Sequence, residues 1–201
     1  MFGARFAKRM AARYRKRGLD ATAQAIVDLV TQGGVQGATV LEVGGGVGEI
    51  QLELLRRGAA SATNLELSPG YEREAAALIE DAGLGGRVHR RLIDIATDPA
   101  GVEPADIVVL HRVVCCYPDV AKLLGAAADH ARSQLVFSFP PRNAASRTVV
   151  WMQNRLLGWG GRQFRTFAHP PTAMLAVLAE HGLQAAIASR GAVWQVGHAT
   201  R

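Results

Sequence analysis

The sequence predicts an α/β fold: a doubly wound, seven-stranded sheet that is mostly parallel and has helices on both faces. One observation is the stretch 38–48, in which an apolar strand passes directly into a glycine-rich turn and then into a helix. A second is the alternation of strand-like and helix-like segments along the chain. A third is the pair of short strands on either side of a turn at residues 190–191, which predicts an antiparallel pair at the C-terminal end.

The strand at the centre of this prediction covers residues 39–43, which include two valines and neither proline nor glycine. Glycines follow at positions 44–46 and 48, where they let the chain turn without a Cβ clash and let a ligand approach the backbone. The helix predicted for residues 49–57 begins directly after them, so its free N–H groups point at whatever lies in the turn. Together these three elements predict the first half of a nucleotide-binding unit.

The remaining elements follow from apolar periodicity and from glycine or proline breaks. Further strands are predicted at residues 62–67, 88–93, 106–110, 135–139, 183–189 and 192–197. Further helices are predicted at residues 2–17, 19–32, 69–81, 119–131 and 172–181.

Length and composition predict one globular domain over residues 1–201. With 49% hydrophobic residues the chain can bury a sizeable core, and no apolar run approaches the roughly 18 residues that a bilayer-spanning helix needs. The two cysteines, Cys115 and Cys116, are neighbours, which excludes a disulfide framework. No group of Cys or His residues has the spacing of a metal site. We therefore expect a reduced, cytoplasmic protein without a bound metal.

Basic charge is concentrated at the start of the chain. The formal net charge is +6, but residues 1–17 carry seven basic side chains and no acid, while the remaining 16 basic and 17 acidic side chains give −1. Phe2, Phe6, Met10 and Tyr14 recur every fourth residue, which predicts an amphipathic helix with its cations on the other face. We expect the apolar stripe to pack on the domain. The alternative is a basic arm that contacts a nucleic acid or a membrane surface.

The acid before the glycines distinguishes this turn from a dinucleotide site. A G-x-G-x-x-G fingerprint that starts at Gly44 fails because Glu49 stands at its third glycine position. The spacing that fits is E-x-G-x-G-x-G, formed by Glu42, Gly44, Gly46 and Gly48. It resembles the signature of class I S-adenosylmethionine-dependent methyltransferases. The resemblance implies a Rossmann-like fold, S-adenosyl-L-methionine as the cofactor, and a position for Glu42 near the methionine end of that cofactor.

Later motifs extend the resemblance to the rest of the cofactor. Glu66 ends a strand about twenty residues after the glycine turn, where an acid typically hydrogen-bonds ribose hydroxyls, and ELSPGY resembles the second methyltransferase motif. In the family an acid at the position of Asp94 contacts the adenine amino group. The segment that begins at His111 follows the fourth strand and is expected to line the transferred methyl. The other implied cofactor contacts are Leu67, Ser68, Tyr71, Ile95 and Arg112.

Three short pieces, VVCCYPD, RTFAH and RGAVWQVG, are similar to magnesium-protoporphyrin O-methyltransferases and their relatives. Those enzymes carry a histidine immediately before the Tyr-Pro pair, where this chain has Cys116. The resemblance also implies that residues 1–18 form a lid and that residues 142–171 build a substrate pocket. The aromatic and arginine side chains of residues 142–171 suit a flat or anionic organic substrate. The alternative for that segment is a hydrophobic helix that covers the edge of the sheet.

These observations predict methyl transfer to a small organic acceptor, on oxygen or nitrogen. The sulfonium methyl is already activated, so catalysis consists largely of positioning the acceptor, and a base is needed only where the acceptor is protonated. The candidate bases are His111, Tyr117, His169 and, if the N-terminal helix folds over the site, Tyr14.

Two other functions stay open. A nucleic-acid methyltransferase would use the basic arm, although residues 111–114 replace the (N/D)PP(Y/F) motif of base-amino methyltransferases and the Pro-Cys nucleophile of cytosine enzymes is missing. The second alternative is a catalytically silent S-adenosylmethionine-binding module whose arm recruits a partner.

Overall fold

The computed structural model describes residues 3–141 and 166–201. Phe2 lies outside the described residues. Residues 142–165, which make up most of the predicted substrate segment, also lie outside them. In the described ranges no helix is long and apolar enough to cross a membrane.

A single mixed sheet organises the described part of the chain, with its strands in the order β3-β2-β1-β4-β5-β7-β6. β1 to β5 run parallel to one another, and β7 is antiparallel to both β5 and β6. The predicted fold class, including the C-terminal antiparallel pair, is therefore confirmed. The strands are β1 Thr39–Val43, β2 Ser61–Glu66, β3 Val88–Leu92, β4 Ala105–Leu110, β5 Ala131–Phe139, β6 Gln184–Arg190 and β7 Gln195–Thr200.

Helices lie on both faces of the sheet, because alternate residues of the central strands point into two separate apolar cores. Val40 of β1 belongs to the core under α1 to α4, whereas the next residue, Leu41, belongs to the core under α5 and α6. The helices of the described ranges are α1 Ala4–Arg17, α2 Ala21–Gln32, α3 Glu49–Arg56, α4 Glu72–Asp81, α5 Val120–Asp129 and α6 Pro171–Glu180. Short 3₁₀ turns lie at Pro69–Tyr71, Gly85–Arg87 and Val114–Cys116.

The predicted bounds of two strands near the C-terminal edge are wrong. β5 begins at Ala131, four residues before the predicted start, because Ala131 pairs with Ala105 of β4 and the Ser133 carbonyl accepts a hydrogen bond from the Arg201 N–H. β7 begins and ends three residues after the predicted bounds, because the turn before it is longer than expected and Thr200 still pairs with Gln134 of β5. In both strands the bounds are set by pairing between distant segments, which local propensity does not encode.

α1 packs on the domain through a face that differs slightly from the predicted stripe. Ala7 and Ala11 are fully buried, because small side chains let the helix come close to α4. Met10 and Tyr14 are partly buried against the same core, whereas Phe6 stays 43% exposed. The apolar stripe of α1 therefore lies beside the contact between α1 and α4, next to the space beyond the edge of the sheet.

Candidate functional site

A cavity of about 670 Å³ lies at the carboxyl ends of β1, β2 and β4. β1 is flanked by β2 on one side and by β4 on the other, so the cavity lies where the strand order reverses, the usual ligand position in such sheets. α1 forms one wall through Phe6, Met10 and Tyr14. The predicted cofactor residues that line the cavity are Glu42, Gly44, Gly46, Glu66, Leu67, Ser68, Tyr71, Asp94, Ile95, His111 and Arg112.

The glycine turn forms the floor of the cavity. Gly44 and Gly46 have φ values of +65° and +56°, a region that side chains with a Cβ rarely adopt. A Cβ on Gly44 would lie 2.6 Å from Cγ2 of Val113, so this position also lacks room for one. Gly48, the third predicted glycine, is not part of the cavity wall. It directly precedes α3 and has a φ of +85°, so its role is in the backbone turn that begins the helix.

Glu42 lies beneath this turn and is only 2% exposed. Its Oε2 accepts a hydrogen bond from the Gln51 backbone N–H (3.3 Å) and one from Nδ2 of Asn64 (3.4 Å). Because no side chain caps α3 at Gly48, Glu42 satisfies an N–H of its first turn from the neighbouring strand. Burial and the nearby carboxylate of Glu49 raise the pKa of Glu42 to about 8.

Glu66 ties the end of β2 to the glycine turn. Its Oε2 accepts a hydrogen bond from the Gly46 N–H at 2.9 Å, and its Oε1 accepts bonds from the N–H groups of Leu67 (2.8 Å) and Ser68 (2.9 Å). A carboxylate has about four lone-pair positions, so one position remains after these three bonds. This buried acid therefore shapes the turn and keeps capacity for one further donor.

Asp94 and Tyr117 form a pair at the other end of the cavity. The Tyr117 hydroxyl donates to Oδ2 of Asp94 (3.0 Å), and Oδ1 accepts from the Ala96 N–H (3.0 Å). Burial and the hydrogen bond to Asp94 raise the pKa of Tyr117 to about 12. At neutral pH this phenol is a donor, which makes it a poor general base.

His111 is the candidate base that the structure places directly in the cavity wall after β4. Its Nδ1 lies 3.0 Å from Oγ of Ser138, and the same Oγ accepts the Arg112 backbone N–H at 2.9 Å. Burial, and after it the positive charge of Arg112, lowers the pKa of His111 to about 4. The ring is therefore neutral at pH 7 and held in place by β5.

Two other candidate bases are engaged elsewhere. Tyr14 lines the cavity, but its hydroxyl donates to Oε1 of Glu53 at 2.7 Å and accepts from Arg56 at 2.7 Å. Burial raises its pKa well above the usual value. His169 is not among the cavity residues: its Nε2 donates to the Tyr117 carbonyl (3.0 Å), and its ring stacks on Phe167.

Sequence reasoning missed a charged cluster on the wall next to α1. Asp20, the N-cap of α2, forms ion pairs with Arg112 (2.7 Å) and with Arg13 of α1 (3.1 Å). The guanidinium of Arg112 also lies 5.0 Å from the ring centroid of Trp194, and Arg112 has a φ of +59°. Only the cap signal of Asp20 is visible in the sequence; the meeting of three distant segments is not.

Glu49 was the other residue missed. It is the first residue of α3 and lines the cavity. Its Oε2 is buried and has no hydrogen-bond partner within the described residues. Burial raises the pKa of Glu49, a hydrogen bond to its own backbone N–H opposes that effect, and the charges of Asp20, Arg112 and Arg13 also reach it. An acid that directly follows a glycine turn was a visible signal for this position.

Cys116 lines the cavity. Its Sγ lies 3.5 Å from Sγ of Cys115, and both thiols point toward the Arg112 carbonyl. The Cys115 carbonyl accepts a hydrogen bond from the Phe167 N–H at 2.7 Å. These two residues therefore connect the cavity wall to the chain just after the segment 142–165.

Residues 41–137 match the family model described as a methyltransferase domain. The match begins in β1 and ends in β5, so it contains the glycine turn, Glu66, Asp94 and His111. Over these residues the chain is similar to methyltransferase domains. No curated protein matches the sequence.

Solved structures share the fold of this chain at low sequence identity. Magnesium protoporphyrin IX methyltransferase from Synechocystis PCC 6803, with bound SAH, has a TM-score of 0.71 at 21% identity, over 90% of this chain and 82% of that one. An O-methyltransferase family protein from Burkholderia thailandensis has a TM-score of 0.72 at 23% identity, over 90% and 56%. An O-methyltransferase family 2 protein from Planctomyces limnophilus, in complex with apigenin, has a TM-score of 0.73 at 18% identity, over 100% and 62%.

Proposed function

We propose that this protein is a methyltransferase that transfers the methyl group of S-adenosylmethionine to an oxygen atom of a small organic acceptor. The observation that carries the proposal is the cavity of about 670 Å³ at the ends of β1, β2 and β4. Its volume falls in the range of roughly 300–1,000 Å³ that is usual for small-molecule pockets. The choice of oxygen is supported by fold neighbours that are described as O-methyltransferase family proteins.

The residues present fit this cofactor. Glu66 retains acceptor capacity for a ribose hydroxyl, and Asp94 is an acid at the far end of the cavity for the adenine amino group. Within the described residues, Glu49 and Arg112 each have a buried polar atom without a partner, one on a carboxylate and one on a guanidinium. Opposite charges of this kind suit a ligand with an amino-acid end. When bound, S-adenosylmethionine supplies a methyl group that its sulfonium has already activated.

The protein's contribution to the reaction is mainly to position the acceptor and to exclude water. α1 covers the cavity with the apolar side chains of Phe6 and Met10, which favours an acceptor with an apolar body. Burial lowers the pKa of His111 to about 4, so the neutral ring is a weak base. Its role is to orient the acceptor hydroxyl through a hydrogen bond, and a carboxylate acceptor needs no base.

Calorimetry and a transfer assay test the proposal. S-adenosylhomocysteine should bind with micromolar affinity or better, and NADH should not bind; the opposite pattern excludes the proposed cofactor. Transfer from S-adenosylmethionine with a labelled methyl group to a panel of phenols, carboxylic acids and amines then identifies the acceptor. With a phenolic acceptor, His111→Gln should lower kcat at least tenfold and change the affinity for S-adenosylhomocysteine by less than threefold.

A nucleic-acid substrate is the second candidate, and the basic face of α1 is the observation that favours it. Arg13 and Arg15 pair with Asp20 and Asp81, but the described residues place no carboxylate in an ion pair with the other cations of the helix, namely Arg5, Lys8, Arg9, Lys16 and Arg17. A gel-shift titration with RNA over a salt series separates the two candidates, because phosphate contacts give a steep salt dependence. Strong, salt-sensitive binding that requires α1 would favour the nucleic-acid substrate.

A measurement of methyl transfer distinguishes an enzyme from a catalytically silent S-adenosylmethionine-binding module. Cofactor binding without transfer to any acceptor class, including RNA, would favour that module.

A further inference from the structure

Within the described residues, Glu49 has an unsatisfied carboxylate oxygen, and it belongs to the cavity wall. It begins α3 directly after the glycine turn, and its side chain lines the cavity. Its Oε2 is withdrawn from solvent and has no donor within the described residues. A buried carboxylate oxygen without a hydrogen bond is costly, so a donor from a bound molecule is the arrangement that satisfies it.

The neighbouring acid, Glu42, also lines the cavity, but it is partly engaged in holding the turn. A Cβ on Gly45 would come within 2.7 Å of its Cδ. Its Oε2 already binds the Gln51 N–H and Asn64, whereas Oε2 of Glu49 has no donor within the described residues. Glu49 is therefore the acid with the unmet acceptor.

Arg112 offers the complementary group. Its terminal nitrogen donates to Asp20, and its guanidinium lies over Trp194, so the side chain is fixed on two sides. Its Nε is buried and has no acceptor within the described residues. Glu49 and Arg112 line the same cavity, and the positive charge of Arg112 opposes the rise that burial causes in the pKa of Glu49.

We infer that Glu49 and Arg112 together hold the zwitterionic amino-acid end of the cofactor, an inference that rests on the proposed function. Oε2 of Glu49 accepts a hydrogen bond from the α-ammonium, and Nε of Arg112 donates to the α-carboxylate. The ammonium thus meets the acid that follows the glycine turn, and not the acid before it, Glu42, to which the sequence resemblance gave that end of the cofactor.

A comparison of two ligands tests this pair. S-adenosylhomocysteine carries the amino-acid end, whereas 5′-methylthioadenosine has the same adenosine and thioether but lacks that end. Calorimetry should show that Glu49→Gln weakens S-adenosylhomocysteine binding roughly ten- to hundredfold, the usual effect of a lost charge-assisted hydrogen bond. Binding of 5′-methylthioadenosine should change by less than twofold. Arg112→Lys, which keeps the charge and removes Nε, should give the same selective loss.

Two control variants sharpen the comparison. Glu80→Gln removes an exposed acid of α4 outside this cavity and should change neither affinity. Glu42→Gln should alter both affinities in parallel, if at all. A selective loss of S-adenosylhomocysteine in Glu42→Gln but not in Glu49→Gln would give the ammonium to Glu42 and overturn the inference. An equal loss of both ligands in Glu49→Gln would also overturn it.

The wild-type protein separates failure of the inference from failure of the proposed function. If the wild type binds the two ligands with equal affinity, the inference about Glu49 and Arg112 is wrong and the proposed cofactor still stands. If it binds neither ligand, both the inference and the proposed cofactor are wrong.

Discussion

The carboxylate of Asp20 lies 2.7 Å from the guanidinium of Arg112, although the two residues are 92 positions apart in the sequence. Asp20 also caps α2 through the N–H groups of Thr22 and Ala23 and pairs with Arg13 of α1. One side chain therefore fixes α1 and α2 to the segment that follows β4, and these are the elements that enclose the cavity next to the glycine turn.

Replacing Asp20 by asparagine should separate its two roles. Asparagine caps a helix about as well as aspartate, so α2 should persist while both ion pairs are lost. We expect the free energy of unfolding at pH 7 to fall by about 1–2 kcal/mol, as measured by urea denaturation. An Asp20→Ala variant, which also loses the cap, should be less stable still. Equal stability of Asp20→Asn and the wild type would show that the ion pairs contribute nothing.

The stability difference between the wild type and Asp20→Asn should also depend on pH. Burial acts to raise the pKa of Asp20, but hydrogen bonding from the Ala23 N–H and the charge of Arg112 outweigh it and lower the pKa to about 2. The stabilisation is therefore present above pH 4 and is lost as the pH falls through 2. The difference in Tm between the wild type and Asp20→Asn should be constant from pH 5 to 7 and should shrink between pH 4 and 2.

The contribution of Glu42 to stability should have the opposite dependence on pH. Burial, followed by the charge of Glu49, raises its pKa from 4.5 to about 8, so the native state holds a proton that the unfolded chain has lost. The stabilisation is full below pH 4.5 and is lost as the pH rises through 8. Glu42→Gln should match the wild type near pH 5 and exceed its Tm by several degrees at pH 8.5. Parallel Tm curves for the two proteins across this range would contradict the raised pKa.

Gly44 and Gly37 form a matched pair for testing the turn. Both have a positive φ (+65° and +71°), but a Cβ on Gly44 would strike Val113, whereas a Cβ on Gly37 meets nothing within 4 Å. Gly37→Ala should cost only backbone strain, about 1–2 kcal/mol, and should keep the affinity for S-adenosylhomocysteine. Gly44→Ala should cost more and weaken that affinity at least tenfold. Adding Val113→Ala to it should restore part of the lost Tm; no recovery would mean that the contact with Val113 is not the cause.

Proteolysis tests the position of α1 over the cavity. The helix is rich in trypsin sites and is held by the Tyr14–Glu53 hydrogen bond and the Arg15–Asp81 ion pair. If α1 is a lid, S-adenosylhomocysteine should slow cleavage within it severalfold, as followed by mass spectrometry. Tyr14→Phe, which loses the hydrogen bond, should be cleaved faster in the absence of ligand. Identical cleavage rates with and without ligand would contradict a lid.

The sequence was sufficient to predict the fold and the positions of the acids at the strand ends, because both depend on local patterns. The run from β1 into the glycine turn sets the topology, and the spacing from that turn to Glu66 and Asp94 follows from strand and helix lengths. The buried face of α1 was less visible, since Ala7 and Ala11 carry almost no periodic signal beside the larger Phe6 and Met10. The cluster of Asp20, Arg112 and Trp194 brings together three distant segments, which no local pattern encodes.

The placement of α1 also has a consequence for the order in which the protein is completed. α1 is synthesised before the partners of its tyrosine and of Arg15: Glu53 comes 39 residues after Tyr14, and Asp81 comes 66 after Arg15. A nascent chain that ends before α3 therefore holds a cationic helix that lacks both partners. The ion pair between Asp20 and Arg112 needs a further stretch of chain, so the wall of the cavity next to the glycine turn cannot be completed until the segment after β4 has been made.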